Sequence, residues 1–566
     1  MERRHLERVI RLVFLQVSVV FLAAVVAARF GGIDQALLLE ASVLWVAVAL
    51  LTAVAAPLPL PDRSERVAWA PWVLALFFVA AVALRVLHHR HTALPLGYDD
   101  GFYRAAMEGV LGGFDGQAAW SQRQFPQGLL ALQAALAHMA GLDSLAHVRF
   151  LFPVLAAASV VPVYLVARHW GGDRAALASA ALAFGTFAGL AAMDRLYEKN
   201  LVALGLLLLA TWCAGRRAWL PLGLLLASIA IWHRPTFLLA GVGFAAFAVW
   251  DLARRRDAAA WRGWALAAGT AVVLAVPVWL AFPVTFTDLL AEKLQRSAAG
   301  GGGGLGGSFV TVEVYHESAV AYLGLGLLGA AALVRRGQAV LPALLVVLVL
   351  ANVLAEAILF RRFLLMLDLL VLPLAGIGLV ALLAAGVRTD PGVRWGHTDW
   401  GRLRRWEAPV VAVLVLATAA PTLAAAWDEP EPPTQWVDDE AWQGLRWIDA
   451  RTHPSTVMLV DNLAGPLAAA DSGRAVASPG LFDDPNKRAD WDRVRSVRDP
   501  ARIEGFLAAY GSPLAVYHAG STGAGLGTAK FDLPPFAHVY HGAGAHVWTA
   551  PAPTQAAMQA APSAGG

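Results

Sequence analysis

Long apolar runs alternate with short polar breaks along almost the whole chain. A membrane-spanning helix needs about 20 predominantly apolar residues, and runs of that kind recur throughout. The pattern predicts spans at residues 9–29, 36–57, 68–87, 148–167, 175–192, 201–214, 219–232, 237–250, 261–282, 319–334, 339–359, 363–385 and 408–426. That is a polytopic helical membrane protein with about thirteen transmembrane helices. The breaks "MERRHLER", "PDRSER", "ARHWGGDR", "AGRRAW", "DLARRRD", "VRRGQ" and "RTDPGVRWGHTDWGRLRRWE" carry most of the arginine and fall on one side. Positive charge marks the cytoplasmic side, so the other breaks are extracytoplasmic.

Three of the outer segments are too large to be simple connectors. Residues 88–146 read as an amphipathic helix at 102–111, a polar turn, and a second helix in "FPQGLLALQAALAHMAG" that lies in or against the interface. Residues 283–318 contain "SAAGGGGGLGGSF", a flexible run suited to a lid. The third is the tail. From residue 427 the period changes to mixed helix and strand: "DDEAWQGLRWIDAR" is an amphipathic helix, and "TVMLVD", "RAVAS", "PLAVYHA", "FAHVYH" and "AHVWTA" read as strands. The last two form a hairpin about "GAG". The expected organisation is two N-terminal helices (1–67), a transmembrane core (68–426), a small extracytoplasmic α/β domain (427–550) and a disordered end (551–566).

Composition agrees with the pattern. Of 566 residues, 58% are hydrophobic and 15% charged, well below the roughly one quarter charged in soluble domains. A net charge of +3 gathered in short loops reports topology and excludes a nucleic-acid-binding surface. The single cysteine, Cys213, excludes a disulfide within the chain. The N-terminal apolar run is too long for a secretory signal and reads as a retained first span.

The candidate chemistry lies at the outer ends of spans. "YDDGFYRAAM" opens the first outer segment with Asp99 and Asp100. Either acid is a good helix N-cap, and Asp100 and Arg104 have i,i+4 spacing for an ion pair. "MDRLYEKN" places Asp194 and Glu198 on one helix face, with Arg195 and Lys199 on the next. Tyr315, His316 and Glu317 follow the glycine run, and Arg361 and Arg362 begin a late span, where arginines also snorkel. The run "HHRH" at 88–91 lacks the ligand spacing of a metal site. Acids, a histidine and arginines on one side meet the needs of sugar transfer from a lipid-phosphate donor. That reaction needs a base at the acceptor hydroxyl and positive charge at the departing phosphate.

The order of these elements resembles the GT-C glycosyltransferases, in particular the protein mannosyltransferase, aminoarabinose transferase and oligosaccharyltransferase group. The resemblance rests on the acidic loop and helix "YDDGFYRAAM", the turn "FPQG", the span end "VYLVARHWGGDR" and the start "RRFLLMLDLLVLPLAG", and covers mainly residues 68–256. It implies an inverting enzyme using a polyprenyl-phosphate-linked sugar, with a glycan, lipid or protein as acceptor. By position it implies Asp99 or Asp100 as base or metal ligand. Asp194, Glu198, Arg361, Arg362 and Tyr103 become substrate-binding candidates. A divalent cation, Mg or Mn, would be held by Asp100, Asp194 and His316. Two other classes remain: a transporter or flippase of lipid-linked glycans, and a non-catalytic assembly protein with the tail as its binding module.

Overall fold

The structure, a computed structural model, describes residues 66–90, 94, 97, 100–111, 127–186, 189, 191–192, 197–281, 310–335, 337–338, 340–357, 359–387, 437–460, 464–476, 496–499, 503, 514–519, 528–542 and 544–550, with a few isolated positions elsewhere. The expected spans at 9–29, 36–57 and 408–426, the glycine run and the tail end at 551–566 lie outside the described residues, isolated positions aside. The chain divides into two compact units. One comprises Met1–His88, Pro153–Met193 and Tyr197–Asp428; the other comprises His89–Phe152, Asp194–Leu196 and Glu429–Gly566.

The first unit is a helical bundle. Its described helices are α1 (Ala70–His88), and, after the helix α2 (Asp100–Leu111) and helix α3 (Gln127–Ala140) of the second unit, α4 (Val160–Phe184), α5 (Glu198–Arg216), α6 (Trp219–Trp232), α7 (Arg234–Arg255), α8 (Ala258–Ala281), α9 (Val312–Arg335), α10 (Val340–Leu354) and α11 (Phe360–Val387). Among the described residues, five stretches are long and apolar enough to cross a membrane: Ala70–His88, Ser144–Phe184, Arg234–Arg255, Ala258–Leu280 and Phe360–Ala384. Trp72, Leu76 and Val79 on α1 and Val272, Val273 and Leu280 on α8 are exposed, as a lipid-facing stripe requires.

Three expectations shift in detail. The break "ARHWGGDR" collapses to a turn at Gly172, whose φ of 76° interrupts α4. There Asp173 accepts from Arg168 Nε at 2.6 Å and from the Val67 amide at 2.9 Å. Second, the span expected at 175–192 ends at Phe184, where Gly185 leaves helical geometry and Thr186 Oγ1 caps the Gly189 amide at 3.1 Å. Third, the outer segment expected to run to residue 318 is already helical from Val312, so Tyr315, His316 and Glu317 belong to α9, and Tyr315 is buried.

Helix α11 is the centre of the bundle. Its spanning window is wholly buried and apolar but for Asp368, and it packs against α4, α9 and α10. Small residues set its approach to α9: a Cβ on Gly378 would strike the Leu325 carbonyl, and one on Gly329 would strike the Leu374 carbonyl. Both obstacles are backbone, so neither can swing aside. Gly378→Val is expected to destabilise the bundle by about 1–3 kcal/mol or more. Thermal unfolding in detergent, compared with Ala381→Val one turn away, checks this.

The Arg-rich breaks meet at one end of this unit. His169, Trp170, Gly215, Arg217, Trp250, Arg254, Arg255, Asp257 and Gly337 line one cavity there. Asp251 anchors it, accepting from Arg255 at 2.6 Å and from the Trp264 indole at 3.1 Å. Helices α5, α6 and α7 all have an end at this cavity, so their other ends lie about 20–30 Å away, one bilayer thickness.

The second unit holds α2, α3 and a mixed sheet with helices α12 (Asp439–Arg451) and α13 (Gly465–Ser472). Its strands are β1 (Val457–Val460), β2 (Ala475–Val476), β3 (Leu514–Ala519), β4 (Ala537–His541) and β5 (Ala545–Ala550). The sheet order is β2-β1-β3-β5-β4, with β1 parallel to β2 and β3, and β5 antiparallel to β3 and β4. Strict alternation gives the sheet two apolar faces. Met458, Val460, Ala515, Tyr517 and Val547 pack with Leu445 and Ile448 of α12 and with Leu94 of the first outer segment. Val457, Leu459, Val516 and Trp548 pack with Phe531 and Phe536 on the other face.

Candidate functional site

Helices α5 and α11 begin with a cation, and a buried histidine that caps α7 feels both charges. Lys199 is in the first turn of α5 and His233 caps the N-terminus of α7. Leu359, at φ 50°, turns the chain into α11; the Arg362 amide donates to its carbonyl at 2.8 Å. The His233 ring is buried, holds Thr236 Oγ1 at 2.7 Å, and feels the charges of both Lys199 and Arg362. The Arg362 guanidinium lies 5.2 Å from the ring centre of Tyr197, the residue that precedes α5.

Helix N-termini carry partial positive charge, and cations are disfavoured there. Three N-termini with the cations Lys199 and Arg362 form a positive site whose natural complement is a phosphate-type anion, while burial and the two cations keep His233 neutral. Arg361 goes elsewhere: it is exposed and stacks over its neighbour Phe360 at 5.9 Å.

The acidic loop forms its own network within the second unit. Asp100 starts α2 and is fully buried. Arg104 Nε donates to both of its carboxylate oxygens, at 3.0 and 2.9 Å, one helical turn on. The other face of the same guanidinium grips Asp471 of α13 in a two-pronged pair at 2.7 and 2.6 Å. The expected i,i+4 pair therefore forms, but inside the unit and with a third member. Burial raises the Asp100 carboxyl to about 6; Arg104 opposes that rise and Asp471 adds to it. For Arg104, burial works against the charge, but Asp100 and then Asp471 outweigh it and hold the guanidinium protonated.

Two acids share one base, so removing different members has different effects. Arg104→Leu leaves two buried carboxylates facing one another and is expected to cost about 3–5 kcal/mol. Asp100→Asn leaves a balanced Arg104–Asp471 pair and is expected to cost about 1 kcal/mol or less. Because the folded carboxyl of Asp100 sits above its ordinary 3.8, the fold binds this proton more tightly than the unfolded chain does. The stabilisation it brings is complete below 3.8 and is lost as pH rises through about 6. Hydrogen exchange in α2, corrected for intrinsic rate, should show less protection at pH 7 than at pH 5. Asp100→Asn should flatten the difference.

Tyr103 is buried and packed edge-on against Phe152 at 5.5 Å, so its ring serves the interior of the second unit. Asp99 and Asp194 lie outside the described residues, and Glu198 and His316 are described in backbone only. A divalent cation does not fit Asp100 as placed, because both of its oxygens already accept from Arg104. Sequence reading missed Lys199 and His233 as partners of Arg362. It also missed Asp368, fully buried in α11 with its Oδ1 accepting from Tyr322 and with Thr186 and Tyr315 beside it. The available signal for Asp368 was an acid inside the apolar run "LLMLDLLVLPL".

No protein-family model and no curated protein matches the sequence. Among solved structures the chain is similar to ArnT from Cupriavidus metallidurans bound to undecaprenyl phosphate, with a TM-score of 0.59 and 15% identity over 85% of this chain and 98% of that one. It is similar to the oligosaccharyltransferase of Archaeoglobus fulgidus, with a TM-score of 0.57 and 12% identity over 81% and 70% of the two chains. That archaeal protein has also been solved in complex with Zn and sulfate. The arabinofuranosyltransferase AftD from Mycobacteria gives a TM-score of 0.58 and 17% identity over 88% of this chain and 41% of its own longer one. The chain thus shares the fold of these structures, and among the described residues it has several helices long and apolar enough to cross a membrane. At these identities the likeness carries the fold alone.

Proposed function

We propose that the protein is a GT-C glycosyltransferase that moves a sugar from a polyprenyl-phosphate carrier to an extracytoplasmic acceptor. The observation that carries this reading is the pair of cations Lys199 and Arg362, at the N-termini of α5 and α11, which both act on the buried His233 at the N-terminus of α7. A site this positive at one end of a membrane bundle suits a lipid-linked phosphate. The ArnT neighbour was solved with such a lipid bound, which supports the same reading here.

Transfer with inversion needs a carboxylate to take the proton of the attacking hydroxyl while the sugar–phosphate bond breaks and the phosphate leaves with its electron pair. Asp99 is assigned that role, since Arg104 occupies Asp100. Asp100 is then a positioning residue that fixes the start of α2. Lys199 and Arg362 stabilise the charge that grows on the leaving phosphate. Asp194, Glu198 and His316 are left to bind sugar hydroxyls or a divalent cation. The Arg-rich end of the bundle faces the cytoplasm and the cationic cluster faces out.

Binding tests this directly. Purified protein in nanodiscs is expected to retain a polyprenyl phosphate in preference to the matching neutral polyprenol, measured by mass spectrometry of bound lipid. Equal retention of the two would remove the phosphate assignment.

A further inference from the structure

The C-terminal hairpin carries three histidines that the reading above does not use. His541 on β4 pairs directly across from His546 on β5, and His538 pairs with Trp548 two residues further along β5. In regular pleating, residues three apart on one strand point to opposite faces. Here the register shifts between His538 and Tyr540, and this bulge brings His538 and His541 onto one face of the sheet. The backbone irregularity thus gathers the three rings.

Their nitrogens converge. His541 Nδ1 and His546 Nδ1 are 3.1 Å apart, and His546 Nδ1 and His538 Nε2 are 3.3 Å apart. All three lie within 4.8 Å of one another. Nitrogens held 2.0–2.1 Å from a tetrahedral zinc ion are about 3.3 Å apart, so two of the three edges already have the right length. One ring nitrogen offers either one proton or one lone pair, so His546 Nδ1 cannot satisfy both neighbours equally by hydrogen bonding. A shared cation resolves that conflict. The cluster is also braced: Trp548 stacks on His538 at 4.8 Å and on His546 at 5.7 Å, and its indole is fixed to Asp532 at 2.8 Å. His538 and His541 are exposed on the edge strand, so the site is open to solvent.

We propose that His538, His541 and His546 form a binding site for one divalent transition-metal ion of the zinc or copper class. Three neutral imidazoles suit such borderline ions and not Mg or Ca, which take oxygen ligands. With three protein ligands a coordination position stays open for water or an exogenous donor. His518 sits directly across from His546 on β3, on the same face, as the nearest further imidazole. The ion would tie the edge strand β4 to β5. This site is independent of the glycosyltransferase reading.

The test is a Co(II) titration of the untagged, metal-stripped full chain in detergent. The wild type is expected to show the visible bands of a nitrogen-rich cobalt site, saturating at one equivalent and displaced by Zn(II). The triple variant His538→Ala, His541→Ala, His546→Ala is expected to lose the bands, and each single variant to bind at least about tenfold more weakly. Replacing His88, His89 and His91 together should leave the bands unchanged. A wild type without the bands, or a triple variant that keeps them, overturns the proposal. Should the triple variant misfold, pulsed EPR of the Cu(II)-loaded wild type counts the ligands: three coupled imidazoles are expected, and none or one overturns it.

Discussion

Arg362→Met is expected to slow sugar transfer by about 10²–10³-fold, the usual cost of removing one preorganised donor at a site of developing charge. Its stability should stay close to that of the wild type. Arg362 sits in the first turn of α11, where the helix's own field disfavours a cation, and it leans on Tyr197. Arg362→Lys should recover part of the rate, because charge returns without the planar fork. Arg361→Met should change the rate by less than about threefold, since Arg361 is exposed and stacks over Phe360. Steady-state transfer rates of the three variants, each with its melting temperature, check the set. Equal losses for Arg361 and Arg362 would break the assignment.

The adjacent acids should separate as sharply. Asp99→Asn is expected to lose about 10²–10⁴-fold in kcat, the range for a general base. Asp100→Asn should retain most of the activity, because the Arg104–Asp471 pair that remains still ties α2 to α13. The pH profile distinguishes a base from a prop. If Asp99 is the base, the ascending limb of kcat survives Asp100→Asn unchanged. If the limb moves with Asp100, whose carboxyl sits at about 6, then Asp100 is the base and the roles are reversed.

Much of the architecture was legible because spans and strands repeat with simple periods. The helix at 219–232 and the tail strands fall where hydropathy and alternation put them. What was hidden depends on long-range contact. Asp100 and Arg104 read as a surface pair from their spacing, yet Asp471, far along the chain, turns them into a buried triad. Lys199 and His233 look like ordinary helix-end residues until the bundle sets them beside Arg362. The histidines of the hairpin sit at spacings that suggest opposite faces, and only the bulge reverses this. The end of α4 at Phe184 is a local capping event that an apolar window averages over.

The proposed reaction is cleavage of a sugar–phosphate bond on a lipid carrier by this helical bundle. Purified protein in nanodiscs, incubated with polyprenyl-phosphate sugars and an extract of cell-envelope acceptors, should release free polyprenyl phosphate. The release should fall about 10²–10⁴-fold in Asp99→Asn and about 10²-fold or more in Arg362→Met. Release that proceeds equally in both variants, or carrier that crosses the bilayer with its sugar intact and no phosphate freed, would contradict the account.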